Sequence, residues 1–199
     1  MTELLSSMKS ALIASCLLLA ATAAEAGSAM PTAGATSQPV GHYEFCQRYP
    51  SECRRNPVRA VVKLSPALWA KITEINYAAN VGIFPRTDEE MHGVPELWSY
   101  PTDQGDCEDY VLFKQRALEK EGVPASALLI TVVKQRNGDG HAVLTIRTDQ
   151  GDYVLDNLDD RVLSWDQTPY TFLKRQSDVD AGRWVTIEDF RDLLVGSVR

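Results

Sequence analysis

The sequence predicts an α+β domain, and three observations carry that reading. Two helical patterns come early, several strand-like runs follow them, and tight turn clusters separate those runs so that neighbours pair antiparallel. The first helical pattern opens at Ser65-Pro66, with Pro in a first-turn position where its missing N–H is harmless. Leu68, Ile72, Ile75 and Ala79 then recur at helical spacing to about Val81. Residues 84–105 hold Pro85, Gly93, Pro95, Pro101 and Gly105 and read as a long loop. The second helix opens at Asp106, a suitable N-cap, with Asp109 three residues on in a capping-box-like relation, and Gly122-Val123-Pro124 stops it. Strands are predicted over 128–134, 141–147 and 153–155, parted by turn clusters at 137–140 and 149–152. Two more are predicted over 170–176 and 183–187, with a closing helix over 188–194.

The chain has 199 residues, enough for one domain with a core that needs no staples. Its net charge of -7 argues against a general affinity for nucleic acid or anionic membrane, and basic pairs such as Arg54-Arg55 and Lys174-Arg175 read as solvated surface. Lys9, the apolar run over 11–21 and Ala24-Glu25-Ala26 form a secretory signal peptide over residues 1–26. The run is too short for a membrane span, so the expected product is an exported protein, periplasmic or secreted. Cys16 sits in a lipobox-like context, but the apolar run continues beyond it, which argues against lipidation. Residues 27–40 are rich in Ser, Thr, Gly, Ala and Pro and are expected to form a flexible leader. The folded domain is then 41–199.

After loss of Cys16, three cysteines remain, an odd number in an oxidising compartment. Cys46 and Cys53 are close in sequence and predict a local disulfide, which leaves Cys107 free. Cys107 opens a predicted helix, where unpaired backbone N–H groups and the helix dipole favour a thiolate. Such a nucleophile needs a base. Of three histidines, His42 is near the leader and His92 lies in the long loop, whereas His141 opens an apolar strand. Asp156 ends the next strand and is an orienting carboxylate in reserve, with Asn157 as the neighbouring alternative; Asp159 and Asp160 read as loop solvation. Counted outward from a turn at 149–152, Thr145 faces Asp156, and His141 lies four residues further, roughly 13 Å away at strand rise. A plain hairpin so counted does not join the two without a bulge or a longer loop.

Three motifs in order, Gly105-Asp106-Cys107-Glu108-Asp109-Tyr110, Gly140-His141-Ala142-Val143-Leu144 and Gly151-Asp152-Tyr153-Val154-Leu155-Asp156-Asn157, resemble the bacterial transglutaminase-like cysteine proteinases, as do Trp98 and Pro101 upstream. The resemblance spans about residues 40–190. It implies a papain-like, transglutaminase-like core, a helix carrying the cysteine packed on an antiparallel sheet. It implies Cys107 as nucleophile, His141 as base and then acid, and Asp156 as orienter, with hydrolysis of a protein substrate through a thioester. Relatives of the LapG type are periplasmic, calcium-dependent peptidases that release surface adhesins. In them, acidic residues around the cysteine hold the metal, which implies Asp106, Glu108 and Asp109 here. No cofactor is needed for the thiol chemistry itself. Gln104, three residues before the nucleophile, is an oxyanion donor to consider, and Trp98 a cleft residue. The same triad serves transglutaminases and glutamine deamidases, and a silent binding module of this fold is the third reading.

Overall fold

The computed structural model of the chain describes residues 27–191. Strand β1 (Thr32–Thr36) and helix α1 (Val40–Arg48) come first, then helix α2 (Pro66–Gly82). The next stretch holds β2 (Phe84–Pro85), α3 (Asp88–His92), β3 (Gln104–Gly105) and α4 (Cys107–Lys120). Strands β4 (Leu128–Lys134), β5 (Gly140–Thr148), β6 (Gly151–Leu155), β7 (Leu163–Ser164), β8 (Thr171–Ser177) and β9 (Asp180–Ile187) complete it. They form, with β1, an antiparallel sheet in the order β1-β9-β8-β4-β5-β6-β7, while β2 and β3 pair parallel by themselves. The α+β class is therefore as the sequence predicts.

Local chemistry explains most boundaries. Ser65 Oγ accepts the Leu68 N–H at 3.1 Å and Pro66 follows it, so α2 starts there. Asp106 is the N-cap residue of α4, but its side chain makes no cap bond, and Asp109 turns to Ser99 instead, so the expected capping box does not form. A capping box does form in the long loop, between Thr87 and Glu90, and it nucleates α3 where the sequence reading had only loop.

Alternation along the strands builds two faces. Leu128, Ile130, Ala142, Leu144, Ile146 and Leu155 meet Val111, Leu112 and Leu118 of α4 on one face. Val133, Val143, Val154, Trp165, Phe172 and Ile187 fill the other. Cys46 and Cys53 are joined, with Cα atoms 5.6 Å apart, and tie the last turn of α1 to the loop after it. Cys107 is the free cysteine among the described residues.

Two expectations are corrected. Residues 27–40 are not a loose leader: β1 pairs with β9, the Met30 N–H donates to Asp152 Oδ2 at 2.9 Å, and Ser28 O accepts the Trp165 indole N–H at 3.0 Å. An edge strand is held by backbone bonds, which small polar residues can make as well as apolar ones. The β5–β6 hairpin is tighter than counted, because Thr148 pairs with Gly151 and only Asp149 and Gln150 lie in the turn. The register becomes Leu144 opposite Leu155, so Asp156 continues opposite Val143, two residues from His141 rather than four. No bulge is required. Residues 188–190 are not helical, and the rest of the expected closing helix falls almost wholly outside the described residues, as do Cys16 and the signal peptide.

Gly151 adopts φ 111°, and a Cβ there would stand 2.2 Å from Gly27 O. Gly151→Ala is expected to destabilise the fold by roughly 1–3 kcal/mol in urea unfolding. A loss below about 0.5 kcal/mol, the range of an ordinary surface change, would show that neither the turn nor the Gly27 contact constrains this position.

Candidate active site

His141 is the second residue of β5, and Asp156 follows directly on β6, so the hairpin register sets both at one end of the sheet. His141 Nε2 lies 2.8 Å from Asp156 Oδ1, with both side chains buried. The imidazole meets Asp156, not its neighbour Asn157. Asp156 Oδ1 also accepts the Leu158 N–H at 3.0 Å, and Oδ2 accepts the Tyr170 hydroxyl. Burial pushes the Asp156 carboxyl up, but the His141 bond and charge and the two other donors outweigh it and hold the group below the usual carboxylate range. Tyr170, whose ring centre is 5.5 Å from that of His141, pays for its place: burial and the Asp156 charge push its phenol up. With Nε2 committed to the carboxylate, Nδ1 is the ring nitrogen left for another partner.

Cys107 is the first residue of α4, a helix packed on β5 and β4. The backbone N–H of Ala142, the residue after His141, lies near enough to favour the thiolate, so the thiol sits beside the start of β5. Its S–H donates to Glu108 Oε2 at 2.9 Å. Burial raises the thiol most, the Glu108 carboxylate adds to it, and the Ala142 N–H opposes them; the net is well above the ordinary thiol. As it stands, the field at the sulfur favours the neutral thiol.

A group of carboxylates explains part of that field. Asp88, Asp106 and Asp109 bring one ligand oxygen each to within 4.8 Å of one another. Asp88 Oδ1 and Asp106 Oδ1 are buried with no hydrogen-bond partner. Burial and the neighbouring carboxylates raise Asp106 to about 9, and burial raises Asp109 to about 7 against the opposing Ser99 bonds. Of the expected trio, Asp106 and Asp109 lie in this group; Glu108 accepts from the thiol, and Asp88 from α3 is the third carboxylate beside them. The reason is helical. Residues 106 and 109 are three apart and share a side, whereas 108 points elsewhere. Asp88 lies 18 positions upstream and carries no spacing signal, and it sits in the acidic first turn of a short helix.

The remaining predicted residues scatter. Gln104 is in β3, its Oε1 accepting from Arg86 at 3.2 Å, and no hydrogen bond among the described residues joins it to Cys107 or His141. Trp98 is 2% exposed and belongs to the core with Phe45 and Trp184, its indole N–H donating to Glu96 at 2.7 Å. A large aromatic with one satisfied polar tip packs inside rather than lining a cleft. His42 is likewise a core residue, against Trp98 and Trp184, and burial lowers it to about 4.

The model of the bacterial transglutaminase-like cysteine proteinases, BTLCP, matches residues 32–192. The chain belongs to that family. Solved structures of Legionella pneumophila LapG share the fold. One is 23% identical, covering 66% of this chain and 74% of that one, with a TM-score of 0.51. A calcium-bound form is 21% identical, with 69% and 83% covered and a TM-score of 0.52. An EGTA-treated form is 22% identical, with 66% and 76% covered and a TM-score of 0.50. No curated protein matches the chain. In this bacterial transglutaminase-like cysteine proteinase the acidic trio comes from α3, from the N-cap of the cysteine helix and from that helix's first turn.

That trio has a signature in stability. An unfolded Asp ionises near 3.9, whereas folded Asp106 and Asp109 keep their protons to about 9 and about 7. Between those limits the folded state binds more protons than the unfolded one, so stability falls as pH rises. In the presence of chelator, the melting temperature is expected to fall from pH 5 to pH 8, and Asp106→Asn to flatten the fall. A melting temperature that holds or rises over that window would contradict the crowding.

Proposed function

We propose that this member of the family is an exported cysteine peptidase that cuts a protein substrate through a thioester, with Cys107 as nucleophile, His141 as base and then acid, and Asp156 as orienter. The observation that supports it best is the buried His141–Asp156 pair at 2.8 Å, at the end of β5 against which the Cys107 helix packs. In this reading Nδ1 takes the thiol proton, and the helix N-terminus stabilises the thiolate. Sulfur attacks the peptide carbonyl, and His141 returns the proton to the leaving amine, which departs as the C–N bond breaks. Water, deprotonated by His141, then adds to the thioester and releases the acid and the thiol. Backbone N–H groups of the first turn of α4 are the nearest source of an oxyanion hole, and the Gln104 amide is a second donor to test.

Asp88, Asp106 and Asp109 fit calcium, since they present hard carboxylate oxygens, two of them orphaned in the interior. Bound there, a divalent cation would supply positive charge next to the sulfur and offset the carboxylates that hold the thiol neutral. The calcium-bound LapG neighbour supports that reading. The signal-peptide features of residues 1–26, the Cys46–Cys53 disulfide and the lack of a membrane-spanning helix among the described residues support a periplasmic or secreted site of action, with an exported or surface protein as substrate.

The reactivity of Cys107 towards iodoacetamide at pH 6, followed by peptide mass, tests the chemistry. Labelling is expected to be fast with calcium, slower with EGTA, and roughly 10²-fold or more slower in His141→Ala. Slow labelling that His141→Ala leaves unchanged would remove the triad. Cleavage of a mixed peptide library that Cys107→Ala abolishes would establish the peptidase, whereas ammonia release from glutamine peptides without chain cleavage would identify a deamidase or transglutaminase.

A further inference from the structure

Helix α4 carries a second unusual residue. Lys114 is fully buried, seven positions after Cys107 and so on the same side of the helix, roughly 10 Å along its axis. A buried ammonium is costly where an apolar side chain would fill the space, so its partners are informative. Lys114 Nζ donates to Asn76 Oδ1 at 2.8 Å, and Asn76, on α2, is fully buried too. The Asn76 amide donates onward to the carbonyls of Asp159, at 3.3 Å, and Asp160, at 3.1 Å. One turn further along α2, Asn80 Nδ2 donates to the carbonyl of Asp156 and to Asp160 Oδ1, both at 2.9 Å. The segment so gripped is the loop between β6 and β7, which leaves the sheet at the residue that orients His141. Burial lowers Lys114 to about 7, with Asp156 and Asp160 drawing it back up, and its Nζ also lies 5.7 Å from the centre of the Tyr110 ring.

We propose that Lys114, Asn76 and Asn80 are positioning residues: a buried tie that sets Asp156, and through it His141, against the helix that carries Cys107. The proposal rests on the triad reading above. None of the three touches the imidazole or the sulfur. Each acts by fixing the backbone from which the Asp156 carboxylate projects, and the tie passes through α2, which packs on α4 and whose Asn76 and Asn80 amides hold the loop.

Asn80→Ala and Lys114→Met test it. Asn80 is only partly buried, so its variant should fold even where Lys114→Met does not. The first readout is the downfield imidazole N–H resonance of His141, assigned by its absence in His141→Ala, because that proton reports the bond to Asp156. The second is the rate of iodoacetamide labelling of Cys107 at fixed pH, and the third is the melting temperature. Both folded variants are expected to broaden or lose the resonance and to label Cys107 roughly tenfold to a hundredfold more slowly. A wild-type resonance and rate in folded Asn80→Ala would overturn the tie, even if Lys114→Met unfolds. Slow, His141-independent labelling in the wild type would instead defeat the triad reading, and the resonance would still report on the tie.

Discussion

A two-residue turn decides which side chains meet at the end of the sheet. Because Thr148 pairs with Gly151, the β5–β6 ladder places Asp156 within reach of His141, and a turn of four residues would leave them apart. The turn depends on Gly151 in a backbone region closed to other residues, and on Gly27 lying directly against it. The amino-terminal segment is therefore part of the site's construction, although it is at the far end of the hairpin from the imidazole. The same ladder sets the start of β5 against the cysteine helix, with the Ala142 N–H near enough to favour the thiolate. Register thus links three elements that are far apart in sequence.

Charge is arranged less favourably than geometry. The cysteine helix begins amid carboxylates, and its dipole, which favours an anion at the sulfur, works against Glu108 and burial. Two of the nearby acids keep their protons far above the range of a free aspartate. On the other side, Asp156 is kept ionised by three donors. The two ends thus differ in charge: donors hold the Asp156 carboxylate ionised at one, while burial and Glu108 favour the neutral Cys107 thiol at the other.

The meander was readable from the sequence because alternation and turn clusters coincide there: the run over 128–134 is observed as β4 with the same limits. The amino-terminal strand was not, because Thr32–Thr36 has no apolar face and pairs through its backbone alone. Position at the start of a helix and of a strand singled out Cys107 and His141, and the family resemblance added Asp156; the contact between the last two was not legible, since the count assumed a turn two residues too long. Asp88 and Tyr170 join the site through folding of distant segments. Lys114 carries no signal of its own in the sequence beyond its seven-residue offset from Cys107, which places the two on one side of α4.

Among the described residues the sheet ends in β1 and β7, and both are poor templates. β7 has two residues, and β1 is short, made of Thr, Ala and Gly, with a break in register against β9 between Thr32 and Ala35. A long, regular, apolar margin invites strands from other molecules, whereas irregular or brief ones frustrate such pairing. A protein whose central strands are this apolar thereby keeps its most adhesive surfaces interior, and concentrated samples should resist edge-to-edge polymerisation for as long as β1 stays seated.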